Sequence, residues 1–147
     1  MDPHARADSL ARRPAGRLLR DPRVWLAVYA AVLAAIAYWP VPVDRDAGPL
    51  IRLLVRVLPG LTYEAIEFGA NVLLFVPLGV LLAMILRRRW LGLPIAFGVT
   101  LAIELGQALL LTERTPALSD AIANLLGAAI GMLGVIAVES ARSRIPS

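Results

Sequence analysis

The stretch Phe68–Leu111 reads FGANVLLFVPLGVLLAMILRRRWLGLPIAFGVTLAIELGQALLL. Two apolar runs, 68–86 and 90–111, flank the turn Arg87-Arg88-Arg89. A helix that crosses hydrocarbon needs about 20 mainly apolar residues. Both runs reach that length, and three consecutive cations mark a turn held on the cytoplasmic side of a bilayer. The stretch therefore reads as a transmembrane helical hairpin, and the fold class follows as an all-α integral membrane protein.

Working outward, two more apolar runs have the same character. One spans 24–43, with Trp25, Tyr29, Tyr38 and Trp39 towards its ends as an interfacial aromatic belt would be. The other spans 121–138. The expected architecture is a compact bundle of four transmembrane helices over residues 24–138. A basic, disordered tail (1–23) precedes it and a short tail (139–147) follows. A cleaved signal peptide is the competing reading of 24–43, because Ala35-Ile36-Ala37 offers a small-x-small site. The long leader and the following Tyr38-Trp39-Pro40 favour an uncleaved helix.

Composition agrees. Hydrophobic residues make up 59% of the 147 and charged residues 18%, with a mean hydropathy of +0.71; a soluble domain averages about 45–50% and about 25%. The chain has no cysteine and one histidine, His4. Thiolate chemistry and a disulfide framework are excluded, no metal site or cofactor is expected, and a Ser-His-Asp triad has no plausible histidine. All 15 basic residues are arginine, and the isoelectric point of about 10.6 would suit nucleic acid if the arginines were not topogenic. Residues 1–23 hold six Arg against three Asp, the central turn holds three Arg, and Arg142 and Arg144 close the chain. Loops 44–67 and 112–120 carry the carboxylates Asp44, Asp46, Glu64, Glu67, Glu113 and Asp120. By the positive-inside rule both termini are cytoplasmic in the plasma membrane, and nucleic acid is not a partner. Within the first outer loop, Leu50–Leu58 places Arg52 and Arg56 one turn apart, as in a short amphipathic helix lying on the membrane surface.

Ionisable groups inside a membrane helix are expensive, about 2.5–3.5 kcal/mol at mid-helix on an insertion scale. Those of this chain gather near the outer side. Glu67 and Asn71 are four residues apart, Glu104 and Gln107 three apart, and Asp120 and Asn124 four apart. Each pair shares a helix face. Arg114 is the nearby cation. The pattern predicts a polar pocket open to the outside, with Glu67, Asn71, Glu104, Gln107, Arg114, Asp120 and Asn124 as its ligand-binding residues. Glu104 and Asp120 are the candidate acid/base pair if the site is catalytic. The competing reading makes the amides interhelical glue and Asp120 a helix cap. Gly127 and Gly131 continue the stripe of Asp120 and Asn124 in a small-xxx-small spacing that lets helix backbones approach. Pro77 withdraws a hydrogen bond from the Leu73 carbonyl.

Asn71-Val72-Leu73-Leu74-Phe75-Val76-Pro77-Leu78-Gly79 resembles the N-x-x-x-F-x-P-x-G signature of the VanZ-like family. Glu104, Gln107, Arg114, Asp120, Asn124, Gly127 and Gly131 resemble its second motif. The resemblance spans about residues 64–135. Ala117 stands where members often carry a further acid, so any role of that acid is not carried over. The resemblance implies a membrane protein acting at the cell envelope that lowers susceptibility to teicoplanin-type lipoglycopeptides, with Pro77 and Gly79 as packing positions. Partners expected on this reading are the lipid bilayer, a cell-wall precursor or lipoglycopeptide, and either a second copy or a membrane-complex partner. Two alternatives stay open: a membrane-embedded acid/base enzyme acting on an envelope lipid or peptide precursor, and an accessory subunit of a membrane complex.

Overall fold

A computed structural model of the chain describes residues 21–38, 62–110 and 118–144, together with Leu53 and Val57. Among the described residues there are four α-helices and no strand: α1 (Pro22–Ala37), α2 (Tyr63–Ile85), α3 (Gly92–Leu110) and α4 (Leu118–Arg142). A 3-10 turn (Arg89–Leu91) leads into α3. The expected surface helix lies outside the described residues except at Leu53 and Val57, which are helical and exposed.

Three helices are long and apolar enough to span a bilayer: Tyr63–Ile85, Arg89–Leu110 and Leu118–Arg142. The fourth expected span is shorter. α1 has 16 residues, about 24 Å at 1.5 Å per residue, against roughly 30 Å of hydrocarbon. The rest of the expected run, 39–43, lies outside the described residues. Proline at 40 and 42 explains a helix that stops here, since each disfavours helical backbone in the residue before it.

The helix starts are set by capping. Asp21 accepts a hydrogen bond from the Arg23 amide at 2.9 Å, and Pro22 fits the first turn because its missing N–H would have no helical partner. Thr62 Oγ1 accepts from the Ala65 amide at 3.2 Å. α2 therefore begins five residues before the apolar run, which carries Glu67 inside the helix. α4 begins at Leu118 and puts Asp120 in its first turn. It continues past Val138 to Arg142, so Glu139 is helical and pairs with Arg89. Arg87–Arg89 and the end of α4 thus share one end of the bundle.

Packing centres on α2 and α4. A methyl group placed on Gly127 would overlap the Val72 carbonyl, one on Gly131 the Val76 carbonyl, and one on Gly79 the Ala128 carbonyl. These glycines are spent on an internal contact between two backbones, the arrangement a small-xxx-small spacing allows. Both numbers rise together along the contact, so α2 and α4 run parallel. α3 runs antiparallel to them: Gly92 abuts Met132 near one end, beside the Arg89–Glu139 pair. Leu33, Phe75, Leu78, Leu82, Ala96 and Ala128 form the buried core. Large aliphatic side chains point the other way, with Leu73 at 72% and Leu109 at 83% exposure. In water such a surface would drive aggregation; facing hydrocarbon it is matched to its solvent.

α1 is fastened by its tyrosines. The Tyr29 hydroxyl donates to the Leu74 carbonyl, one residue from the carbonyl that Pro77 leaves without its helical donor. The Tyr38 hydroxyl donates to the Ala102 carbonyl at 3.0 Å, and Gly106 provides the space for the Tyr38 ring. Two of the four aromatic residues expected in an interfacial belt, Tyr29 and Tyr38, are therefore also polar ties between helices.

Candidate functional site

The α2–α4 register decides where the polar pairs meet. Gly127 against Val72, Gly131 against Val76 and Ala128 against Gly79 fix the alignment. Carried one turn towards the helix starts, it sets Asn124 level with the stretch 69–75, which contains Asn71. One turn further, Asp120 is level with 65–71, which contains Glu67. Two carboxylate–amide pairs of identical spacing thus run side by side on two parallel helices.

α3 adds a third contribution. Gly92 beside Met132 and Arg89 beside Glu139 fix its antiparallel register with α4. The same register sets Glu104 level with 120–124 and Thr100 level with 124–128. Glu104 therefore reaches the layer of Asp120 and Asn124, and Thr100 lies at or just below it. The stripe of α3 that holds Gly92, Ala96 and Thr100 is buried, as is the stripe of α4 that holds Asn124, Ala128 and Met132.

Two atoms on these stripes stand out. Thr100 is fully buried and Asn124 is 5% exposed. Among the described residues neither Thr100 Oγ1 nor Asn124 Oδ1 has a hydrogen-bond partner. A buried polar atom without a partner costs about 1–3 kcal/mol, and such atoms are few in native structures. Their level placement on neighbouring helices makes one polar floor beneath Glu104 and Asp120. Above it, Asp120 accepts from the Ser119 hydroxyl at 3.3 Å. Asn71, Glu104 and Asp120 are half-buried, and Glu67 is exposed.

Gln107 does something different. Its Nε2 donates to the Ala37 carbonyl at 2.9 Å. Ala37 is the last residue of α1, and the final four carbonyls of a helix lack intrahelical donors. Gln107 therefore closes the end of α1 from a neighbouring helix. Arg114 lies outside the described residues.

By these registers Glu67, Asn71, Glu104, Asp120 and Asn124 fall at about one level of the bundle, and Gln107 is bonded to the end of α1. Sequence reasoning passed over Thr100. The signal was present, since Thr100 stands one turn from Glu104 on the same face, the spacing that linked the other pairs.

The family described as VanZ/LLP1 matches residues 26–139. The chain belongs to the VanZ/LLP1 family. No curated protein matches it, and no solved structure does. The match is wider than the two motifs indicate. It takes in almost all of α1 and the whole first loop, and it leaves out the basic leader. In a VanZ/LLP1 chain the polar layer and the α2–α4 glycine contact come from the same two motifs: Asn71 to Gly79 on α2, and Asp120 to Gly131 on α4. The residues that close the backbones together also fix the level at which the carboxylates and amides meet.

Proposed function

We propose that this VanZ/LLP1 protein crosses the plasma membrane four times, with both termini cytoplasmic, and holds a cell-envelope component in a polar pocket open to the outer face. The observation that carries the reading is the in-register layer of Glu67/Asn71 and Asp120/Asn124, with Glu104 level with the second pair. A membrane bundle tolerates that many polar groups in one layer only where they meet each other, water or a ligand. The arginine-rich end lies opposite, which by the positive-inside rule supports an outward-facing layer. α1 belongs to the fourth crossing expected over 24–43.

The chemistry of the layer narrows the ligand. Its carboxylates accept hydrogen bonds, and the buried Asn124 Oδ1 is a further acceptor. Gln107 spends a donor on Ala37. Such a layer suits a ligand that presents hydroxyl and amide N–H donors, as the sugar–peptide part of a lipid-linked wall precursor or a lipoglycopeptide does. Arg114, which follows α3 in the sequence, suits a carboxylate or phosphate on the same ligand. By holding or shielding such a component the protein lowers susceptibility to teicoplanin.

The test is teicoplanin susceptibility of a sensitive host carrying the wild type, Glu104→Gln or Asp120→Asn at equal membrane abundance. Lowered susceptibility with wild type, lost in both variants, supports the reading. An unchanged response to the abundant wild type removes teicoplanin from it.

A further inference from the structure

A second site lies at the other end of the bundle. α1 and α2 run antiparallel, since the end of α1 meets Gln107 and Ala102 towards the end of α3, which is itself antiparallel to α2, and Tyr29 reaches Leu74. Between them is an apolar groove of about 550 Å³. Trp25, Val28 and Val32 form one wall, and Val76, Pro77 and Val80 the other. The α1 wall is open: Trp25 and Val28 are each 50% exposed and Val32 48%. Pro77 contributes to the opening because it presents a compact ring.

Charge decides what covers it. The groove runs towards the arginine-rich end, where its mouth is flanked by Arg23 at the start of α1 and by Arg87 and Arg88 just past the end of α2. All three are exposed. Arg89 is occupied by Glu139, and Asp21 caps α1 through the Arg23 amide; the guanidinium groups of Arg23, Arg87 and Arg88 make no ion pair among the described residues. By the Tyr29–Leu74 register, Arg23 is level with about Val80, about 8 Å before the end of α2 at Ile85, and Arg87 and Arg88 follow just past that end. Long arginine side chains keep their heads at the interface while their stems lie on apolar surface. One headgroup between them meets cations from two helices while its chain enters the groove.

We propose that this groove is a binding site for a diacyl anionic phospholipid of the leaflet on the arginine side, with one acyl chain between α1 and α2 and the phosphate between Arg23 and the Arg87/Arg88 pair. A zwitterionic lipid fits the groove equally well but brings no net charge to three arginines, so preference by headgroup is the signature. The site is independent of the polar layer and stands or falls apart from it.

The experiment is native mass spectrometry of the full chain released from vesicles of equal phosphatidylglycerol and phosphatidylethanolamine. Wild type retains phosphatidylglycerol in preference. Arg23→Gln and Arg87→Gln/Arg88→Gln each reduce that preference, by about fivefold per arginine removed. Val28→Phe, which fills the groove and leaves every charge in place, lowers retention of both lipids. Equal retention of the two lipids by wild type overturns the proposal. So does an unchanged preference in the arginine variants at unchanged secondary structure. Unchanged retention in Val28→Phe moves the lipid off the groove and equally overturns it.

Discussion

Gln107 on α3 donates its amide to the carbonyl of Ala37, the last residue of α1, at 2.9 Å. This one bond ties the helix that is too short to span by itself to the helix that carries Glu104. Tyr38 repeats the tie one residue later through Ala102. Replacing Gln107 with Leu leaves a helix-end carbonyl without its donor. The expected cost is about 1 kcal/mol, within the range for interhelical hydrogen bonds in membranes. Tyr38→Phe costs a similar amount, and the double variant loses more than either. Unfolding of the purified protein in graded detergent mixtures measures all three.

The glycines divide into two groups that respond oppositely to the same substitution. Gly127→Ala drives a methyl into the Val72 carbonyl and is expected to cost about 1–3 kcal/mol, as overpacking does. Gly98 has open space around it, so Gly98→Ala is neutral or gains up to about 1 kcal/mol of helix propensity. A thermal melt in detergent separates them; equal losses at both positions would refute the close α2–α4 contact.

Thr100 tests whether stability has been given up for function. Its hydroxyl is buried with no partner among the described residues, and Val keeps the shape while removing the polar atom. Thr100→Val is expected to raise stability by about 1 kcal/mol and to weaken the susceptibility effect of the protein, a trade seen where a binding site is locally strained or unsatisfied. Loss of stability together with full function would show Thr100 to be an ordinary packing residue.

The Arg89–Glu139 pair joins the turn before α3 to the end of α4 at the arginine-rich end of the bundle. With side chains 37% and 51% exposed, it is screened, and Glu139→Gln should cost less than about 1 kcal/mol. Arg89→Glu costs more, because it opposes two carboxylates and weakens the topogenic turn. The exchanged pair Arg89→Glu/Glu139→Arg recovers the pairing part of that loss. Melting of the four proteins at low and high salt reads the pair directly.

Much of this arrangement was legible in the chain. Apolar length and the Arg87–Arg89 turn placed three spans. The glycine stripe from Asn124 to Gly131 indicated a close helix contact, although not which helix it meets. Three things were not legible, for local reasons. Thr62 starts α2 with a cap that no hydropathy profile registers, so the apolar run begins at Phe68 while the helix begins at Tyr63. Tyr29 and Tyr38 looked like interfacial aromatics because the same residue type serves both purposes, and only tertiary contact shows their hydroxyls on helix carbonyls. The role of Gln107 depends on where α1 ends, which apolar residues running on to Val43 obscured.

Sidedness of the polar layer is the point on which the account rests most heavily. The chain has no cysteine, so single cysteines can be placed without background. The measurement is labelling of Glu67→Cys, Asp120→Cys, Arg88→Cys and Ser143→Cys in intact cells by a membrane-impermeant maleimide, before and after permeabilisation. The account predicts that Glu67→Cys and Asp120→Cys label in intact cells, and that Arg88→Cys and Ser143→Cys label only afterwards. Labelling of Arg88→Cys from outside, with Asp120→Cys protected until permeabilisation, would contradict it.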